Sequence, residues 1–434
     1  MVRALALTMV AAIAASCSSG SGISGDDTRP DSSTTVVPDE SDGIFRIGLL
    51  VPQSGDGSAL GDPLIEVVQA AIDAVNEAGG VLGHDVELVV SDEGADTTTA
   101  LTSIDEMIAS RDIDALIGPL SSTVALGVVP HLVEEGIGTC SPAATSASLV
   151  ALPDEGLFVR TSPSDDLASQ AMAQLVSQTG VNSAALAYPD DPYGREFADA
   201  VKRALALQGI KVEPELAYDP TLGDFGDSVA EFTEGGPGAI ALVGDRDGGG
   251  RFLTELLGSA STATVIVNDG LADVDLSNVA SASPNALERV IGVAVDAYSG
   301  IDEVAVLLGM TTTSVTAPTT SVGVGPELSI PPFSAAAVDC VNLLTIAAEA
   351  VDSDVASAFM SRVIAISRVG SACRAFESCI SFEHAGLNVD YNGPTGVLAL
   401  NPNGDPSQAT FVTFGFDETG HSEYRTHLGV FSAP

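Results

Sequence analysis

Positive charge and aromatic side chains are scarce in this chain. Its 434 residues include 59 aspartates and glutamates but 16 lysines and arginines, two of them lysines, giving a net charge of −43, and tryptophan is absent. Because such a chain repels phosphates, we exclude nucleic acid as a partner and direct binding to anionic membrane surfaces. The acids are scattered rather than clustered, which is typical of a solvated, salt-tolerant surface.

The motifs of common catalytic and metal sites are also absent. The chain has no GxSxG, P-loop, HExxH, CxxC or strand-following GxGxxG, and its five histidines form no ligand pattern. The glycine-rich AGGVLG at 78–83 ends a predicted helix rather than opening one. We therefore expect no enzyme activity, no cofactor and no metal, although a hydrolytic carboxylate pair among so many acids would carry no marker.

The N-terminus has the pattern of a secretion signal. Arg3 precedes an apolar run at 4–15, which is too short to span a bilayer, and small residues lead to Cys17. The AASC tetrapeptide at 14–17 resembles the bacterial lipoprotein box, which predicts a signal peptide at 1–17 and lipidation of Cys17; cleavage without lipidation is the alternative. Residues 18–43 are predicted to be a disordered tether. We thus expect an exported protein anchored at the outer face of the cytoplasmic membrane.

Four cysteines remain once Cys17 is set aside, and they allow three pairings. Disulfides persist in exported proteins, and the spacing of Cys373 and Cys379 predicts a bond between them. The partners of Cys140 and Cys340 are left open.

Strand-like and helix-like segments alternate from residue 45 onward. The apolar run at 45–51 predicts a buried strand, and Asp62 and Pro63 predict the start of the helix that follows it. The alternation restarts after 160–164, which predicts an α/β protein with two parallel sheets and ligand-facing loops at the carboxyl ends of their strands. From residue 387 onward the pattern predicts turns and short strands.

The stretch IGPLSST at 117–123 has the pattern of a strand, a turn and a helix start. Ser121, Ser122 and Thr123 stand where hydroxyl oxygens accept hydrogen bonds from first-turn N–H groups. The remaining N–H groups and the positive end of the helix dipole favour a small carboxylate as ligand. Thr145, after the next strand-like segment, is a second hydroxyl for the same ligand. The alternative is that these residues only cap a helix and form turns.

Six stretches of the chain carry a family resemblance in combination. They are IGLLVPQSG at 47–55, VNEAGGVLG at 75–83, LIGPLSST at 116–123, SPAAT at 141–145, DDPYG at 190–194 and NVDYNGPTG at 388–396. Together they resemble the leucine/isoleucine/valine-binding-protein family, the type I solute-binding lipoproteins of ABC importers.

The resemblance implies two doubly wound parallel-sheet lobes joined by a three-segment hinge. We expect the crossings near 161–164, 290–293 and 384–388. The first lobe would comprise 44–162 and 292–386, and the second 163–291 and 387–434.

The resemblance also implies a ligand site between the lobes. In amino-acid binders of this family the serine turn and the AAT loop hold the ligand carboxylate. Here the corresponding residues are Ser121, Ser122, Ala143 through its backbone, and Thr145. An acid of the second lobe holds the ammonium, which carries over to Asp269, and Tyr193 lines the pocket. The alternatives are a turn role for Asp269 and a packing role at a helix start for Tyr193.

These expectations favour a binding protein that closes on a small polar ligand, most simply an amino acid, and presents it to an ABC permease and ATPase. The VGD at 243–245 stands where the family commonly has a tyrosine, so branched-chain specificity does not follow. The alternatives are a sensory module of the same fold without transport, and a binder of an amide, urea or an aromatic acid.

The lipid anchor can be tested directly. Metabolic labelling with a palmitate analogue should tag the wild-type protein and leave Cys17→Ala untagged, because the thiol of Cys17 is the predicted acceptor. Equal labelling of the two proteins would exclude anchoring through this residue.

Overall fold

Two β-sheets covered by helices dominate this computed structural model, which describes residues 41–54, 58–111, 113–272, 274–310 and 330–431. The predicted signal peptide, Cys17 and the predicted tether up to residue 40 lie outside the described residues. At the end of the tether the backbone N–H of Gly43 donates to Oδ2 of Asp354 over 2.9 Å.

The first sheet is parallel and has five strands. Its strands are β1 (Arg46–Val51), β2 (Glu87–Asp92), β3 (Ala115–Ile117), β4 (Gly138–Ser141) and β5 (Phe158–Arg160). Helices α1 (Ser58–Glu77), α2 (Thr97–Arg111) and α3 (Ser122–Glu134) connect the first four, and a 3₁₀ helix at Ala147–Ala151 precedes the fifth. The strand order is β2-β1-β3-β4-β5. Helix α1 begins at Ser58, earlier than predicted, and includes Pro63.

The chain then builds a second sheet. Its parallel strands are β6 (Ser183–Pro189), β7 (Lys211–Tyr218), β8 (Ala239–Leu242), β9 (Thr264–Val267) and β10 (Val290–Val295). The helices are α4 (Asp165–Gln178), α5 (Pro192–Leu207), α6 (Gly226–Thr233), α7 (Gly248–Gly258) and α8 (Ser277–Ala282), with 3₁₀ helices at Asp269–Leu271 and Pro284–Arg289.

After β10 the chain returns to the first sheet. The segments there are α9 (Ile301–Leu307), α10 (Ser334–Val351), α11 (Ala356–Ile366), β11 (Ser371–Cys373), α12 (Phe376–His384) and β12 (Val389–Tyr391). Their apolar side chains share one core with β1 and α1. Together with the first sheet and α1–α3 they form the first lobe.

The last two strands complete the second lobe. Strands β13 (Gln408–Phe416) and β14 (Ser422–Phe431) form an antiparallel hairpin of nine and ten residues, longer than the short strands predicted. The seven-stranded sheet has the order β14-β13-β10-β9-β8-β6-β7. The predicted α/β class with two parallel-sheet lobes is therefore confirmed.

The structure places two of the three crossings later than expected. The first lies between Arg160 and Asp165, at the predicted 161–164. The second follows Val295 rather than 290–293, because β10 pairs with β9 and β13 inside the second sheet. The third lies between 401 and 407 rather than 384–388, because Leu398 and Leu400 are still buried in the first lobe's core.

Helix α10 is the central helix of the first lobe. Among the described residues it is the one helix long and apolar enough to cross a membrane, but 83% of it is buried within the fold, as expected of a core helix. Its Asp339 accepts a hydrogen bond from the Tyr391 hydroxyl (2.7 Å), and Asn342 donates to the same hydroxyl (3.0 Å). The helix therefore fixes β12 and the approach to the third crossing.

Two disulfides cross-link segments of this lobe. Cys373 and Cys379, the pair predicted from their spacing, are bonded at an S–S distance of 2.04 Å. Cys140 of β4 is bonded to Cys340 of α10, 200 residues further along the chain. This second bond ties the strand that leads into the AAT loop to the core helix.

The two disulfides should differ in their contribution to stability. Replacing Cys140 and Cys340 together by alanine should lower the free energy of unfolding by roughly 5 kcal/mol, because the closed loop has a sequence separation of 200. The matched double replacement of Cys373 and Cys379, with a separation of 6, should lower it by about 2 kcal/mol. Denaturant titration measures both, and equal losses would show that loop length does not govern the effect.

Candidate ligand-binding site

The turn after β3 and the loop after β4 are joined by hydrogen bonds. The strands are parallel neighbours, so their carboxyl ends lie at the same edge of the sheet. The hydroxyl oxygen of Ser122 accepts from the backbone N–H groups of Thr145 and Ser146, each over 3.1 Å. Ser141 donates its hydroxyl to the carbonyl of Pro119 over 2.6 Å. The predicted hydroxyl residues Ser122 and Thr145 therefore lie together.

Ser121 has a structural role at this position. Its side chain caps α3 by accepting from the backbone N–H of Val124 (3.4 Å). The buried carboxylate of Glu93 accepts from the backbone N–H groups of Leu120 (2.8 Å) and Ser121 (2.9 Å). Burial raises the pKa of Glu93, and these two hydrogen bonds oppose the shift. Part of the anion-binding capacity of this turn is thus used by the protein's own acid.

The buried side chain of Arg160 binds the AAT loop. Its guanidinium donates to the carbonyls of Ala144 (3.2 Å) and Ser146 (2.8 Å). The same guanidinium forms a bidentate ion pair with Asp405, at 2.6 and 3.0 Å. Among the described residues no protein partner is found for the backbone N–H or C=O of Ala143, which leaves this predicted contact open to a ligand.

Asp165 is a site residue that the sequence reasoning missed. It begins α4 after the cap Ser164, and its backbone N–H donates to the carbonyl of Thr145 over 2.8 Å. Desolvation and the charge of Asp269 raise the pKa of Asp165 to about 7, against a hydrogen bond from Thr145. In the sequence it looks like a first-turn acid that complements the helix dipole, so nothing local distinguishes it.

Tyr193 reaches the same site from the second lobe. Asp191 caps α5 by accepting from the N–H of Gly194 (2.7 Å), and Pro192 occupies the first turn, where its missing N–H costs nothing. The Tyr193 hydroxyl accepts from Nδ2 of Asn268 over 3.3 Å. Although 44% of Tyr193 is exposed, protein atoms around its hydroxyl desolvate it. This desolvation and the charge of Asp269 raise its pKa well above the usual value, so the phenol keeps its proton and can donate.

Asp269 follows β9 and turns its carboxylate toward these groups. Oδ1 accepts from the N–H of Gly270 over 3.0 Å. Although part of the residue is exposed, protein atoms around the carboxyl desolvate it and raise its pKa. Asp165, Asn268 and Asp269 line one cavity, and Asn268 contacts Tyr193. The charge of Asp269 accordingly raises the pKa values of Asp165 and Tyr193.

The buried Asn268 organises the second-lobe side of the site. Besides contacting Tyr193, it accepts through Oδ1 from the backbone N–H of Gly244 over 2.9 Å. A Cβ at Gly244 would lie 2.8 Å from Cα of Gly249 and 2.9 Å from the hydroxyl of Tyr218. No side chain fits at Gly244, so this position contributes backbone alone and no family-type tyrosine.

The structure thus brings the predicted residues of both lobes to one place. Of the predicted residues, Ser122, Thr145, Tyr193 and Asp269 converge there together with Asp165, which was not predicted, whereas the side chain of Ser121 caps α3. Among the described residues no group of three or more His, Cys, Asp or Glu side chains is arranged to hold a metal ion. The arrangement offers hydroxyl donors on one side and carboxylates on the other, which suits a ligand bearing both charges.

Comparisons with known proteins agree with the family resemblance and with the fold described above. The sequence profile of the family described as periplasmic binding protein matches residues 45–318. The Leu/Ile/Val-binding protein BraC3 of Rhizobium johnstonii is 28% identical over 234 residues, which cover 53% of this chain and 63% of that protein. The chain therefore spans less than two thirds of the length of this relative.

Solved structures share the fold. An ABC transporter substrate-binding protein from Desulfitobacterium hafniense in complex with Leu matches with a TM-score of 0.63 at 19% identity, covering 88% of this chain and 100% of that one. A solute-binding protein from R. palustris in complex with benzoate matches with a TM-score of 0.58 at 18% identity, covering 90% and 98%. The two-lobe fold predicted from the resemblance is confirmed.

The raised pKa of Asp165 makes a prediction for stability. The folded carboxyl keeps its proton up to about pH 7, whereas the unfolded one loses it at the ordinary carboxyl pKa of 3.8. The folded state therefore binds more protons in this window, and Asp165 makes the free energy of unfolding fall as the pH rises. Asp165→Asn should reduce this slope in denaturant titrations between about pH 4 and about pH 7.

Asp166→Asn is the matched control, because Asp166 is the next residue of the same helix turn and pairs with Arg203 at the surface. Identical slopes for wild type and Asp165→Asn would contradict the assignment.

Proposed function

The chain belongs to the periplasmic binding protein family, and on this basis we propose that it is an extracytoplasmic substrate-binding protein of an ABC importer. It captures an amino acid between its two lobes, which close around the ligand. The relative named for binding leucine, isoleucine and valine and the neighbour solved with Leu support an amino acid as the class of ligand.

The paired acids Asp165 and Asp269 carry this proposal. Two desolvated carboxylates side by side disfavour their charged forms, as the raised pKa values of both residues reflect. The positive charge acting on Asp165 comes from Arg160, which is already paired with Asp405. An ammonium group on the ligand supplies the missing positive charge.

The first lobe supports the other end of the ligand. Ser122 uses its oxygen to accept from Thr145 and Ser146, and no protein acceptor is found for its hydrogen within the described ranges, so this hydrogen can be donated to a carboxylate. The backbone N–H groups of Ser122 and Thr123 likewise lack acceptors in the described part of the chain, as is usual in the first turn of a helix. Together with the helix dipole they favour an anion.

A simple aromatic acid is the second candidate, because the R. palustris neighbour is solved with benzoate. Such a ligand would use the first-lobe donors but would leave Asp165 and Asp269 without a compensating charge. The amino acid is therefore favoured.

A permease and an ATPase are the proposed partners, and export is the proposed setting. Two disulfides support an oxidising compartment outside the cytoplasm. A sensory protein of the same fold would use the same ligand site without transport. Genes for a permease and an ATPase beside this gene would distinguish the importer from the sensor.

Removing one charged partner tests the site. Asp269→Ala should weaken amino-acid binding by about 2–5 kcal/mol, because the ligand ammonium would be desolvated without compensation. Thr145→Ala should cost less, about 1–3 kcal/mol, the range for one hydrogen bond to a charged group. Calorimetric titration measures both after a thermal-shift screen of amino acids, amides, urea and aromatic acids.

Glu231→Ala on the exposed side of α6 is the control and should bind as wild type does. Unchanged affinity in Asp269→Ala would exclude the amino acid and leave a simple carboxylate or an uncharged amide.

A further inference from the structure

A glutamate of the second lobe binds the ligand loop of the first lobe directly. Glu196 lies on α5, and its Oε1 accepts from the backbone N–H of Ser148 over 2.6 Å and from the hydroxyl of Ser146 over 3.1 Å. Ser146 caps the 3₁₀ helix at Ala147–Ala151, whose chain leads into β5 of the first sheet. These two hydrogen bonds therefore join helices that belong to different lobes.

The segment that Glu196 binds is firmly built into the first lobe. The N–H of Ser146 donates to Ser122, and its carbonyl accepts from Arg160. Ser146 is 8% exposed and directly follows Thr145. Glu196 thus contacts the same loop that supplies the first-lobe side of the candidate ligand site.

We propose that Glu196 is an interlobe clasp, a positioning residue that holds the closed state without touching the ligand. This rests on the proposed function, since it assumes that the lobes close on a ligand. Opening the lobes separates Glu196 from Ser146 and Ser148, so the hydrogen bonds exist in the closed state and not in the open one. An interaction made in one of two states contributes its full free energy to their equilibrium.

The charge of Glu196 also makes the clasp depend on what occupies the cleft. Glu196, Asp165 and Asp269 all belong to the second lobe, and the charge of Glu196 is among those that raise the pKa of Asp165. Without a cation in the cleft, closing the first lobe over these acids removes the water that screens their mutual repulsion, and this opposes closure. An ammonium group in the cleft offsets this repulsion, and the hydrogen bonds of Glu196 then add to the stability of the closed state.

The test measures the interlobe distance by double electron–electron resonance, with one spin label on each lobe of the full chain. Each protein is measured alone and with an equimolar mixture of the twenty L-amino acids. In Glu196→Ala the ratio of closed to open molecules should fall roughly 10- to 100-fold, the effect of losing hydrogen bonds to a charged group. Glu196→Gln keeps an acceptor oxygen and should restore part of the closure.

Asp199→Ala is the matched control, because Asp199 lies on the same helix, is exposed and pairs with Lys202 rather than with the first lobe. It should close as the wild type does. An unchanged closed-to-open ratio in Glu196→Ala would overturn the clasp. If the mixture leaves the wild type unchanged while Glu196→Ala still widens the unliganded protein, the amino-acid proposal fails and the clasp stands.

Dissociation of the amino-acid mixture gives a second readout. The clasp forms after the ligand has entered, so Glu196→Ala should release bound amino acid roughly 10- to 100-fold faster while the association rate changes little. A merely structural defect would be expected to reduce the fraction of binding-competent protein rather than the dissociation rate. Equal release rates for Glu196→Ala and the wild type would also overturn the proposal.

Discussion

The buried ion pair between Arg160 and Asp405 is the interaction on which the site depends most. Arg160 ends the first sheet and Asp405 lies in the third crossing, so the pair connects two of the three segments that join the lobes. The remaining donors of the guanidinium hold the carbonyls of Ala144 and Ser146. Because every charge in this cluster has a partner, burial is tolerated, whereas removing one partner of such a pair typically costs about 3–5 kcal/mol.

Further contacts connect this ion pair and the ligand loop to the rest of the first lobe. The disulfide from Cys140 to Cys340 attaches β4 to α10, and Asp339 of α10 holds Tyr391 near the third crossing. Ser122 then fixes the loop to the start of α3. The closure that we propose would therefore take place at the short crossings after Arg160, after Val295 and between residues 401 and 407.

The acidic residues of the chain lie in two different environments, the solvated surface and the desolvated cleft. Most acids are solvated at the surface, where their interactions are weak and screened by salt. Asp165 and Asp269 differ because surrounding protein atoms desolvate their carboxyls, which raises the pKa of both. The cation that acts on Asp165, Arg160, is already paired with Asp405, so this acidic cleft is suited to a ligand that carries positive charge. Net charge alone could not identify this, since it does not tell a solvated acid from a desolvated one.

The sequence alone determined those features of the fold that depend on residues a few positions apart. The apolar run at 45–51 predicted the first strand, and the spacing of Cys373 and Cys379 predicted their bond, whereas Asp62 and Pro63 did not mark the start of α1. Tertiary structure decided that β10 belongs to the second sheet and that Cys140 pairs with Cys340. It also decided that Asp165 lies beside Asp269, that Glu196 binds the backbone of Ser148, and that Ser121 caps a helix. These outcomes depend on the distance between groups far apart in sequence and on the loss of water around them, which local patterns do not encode.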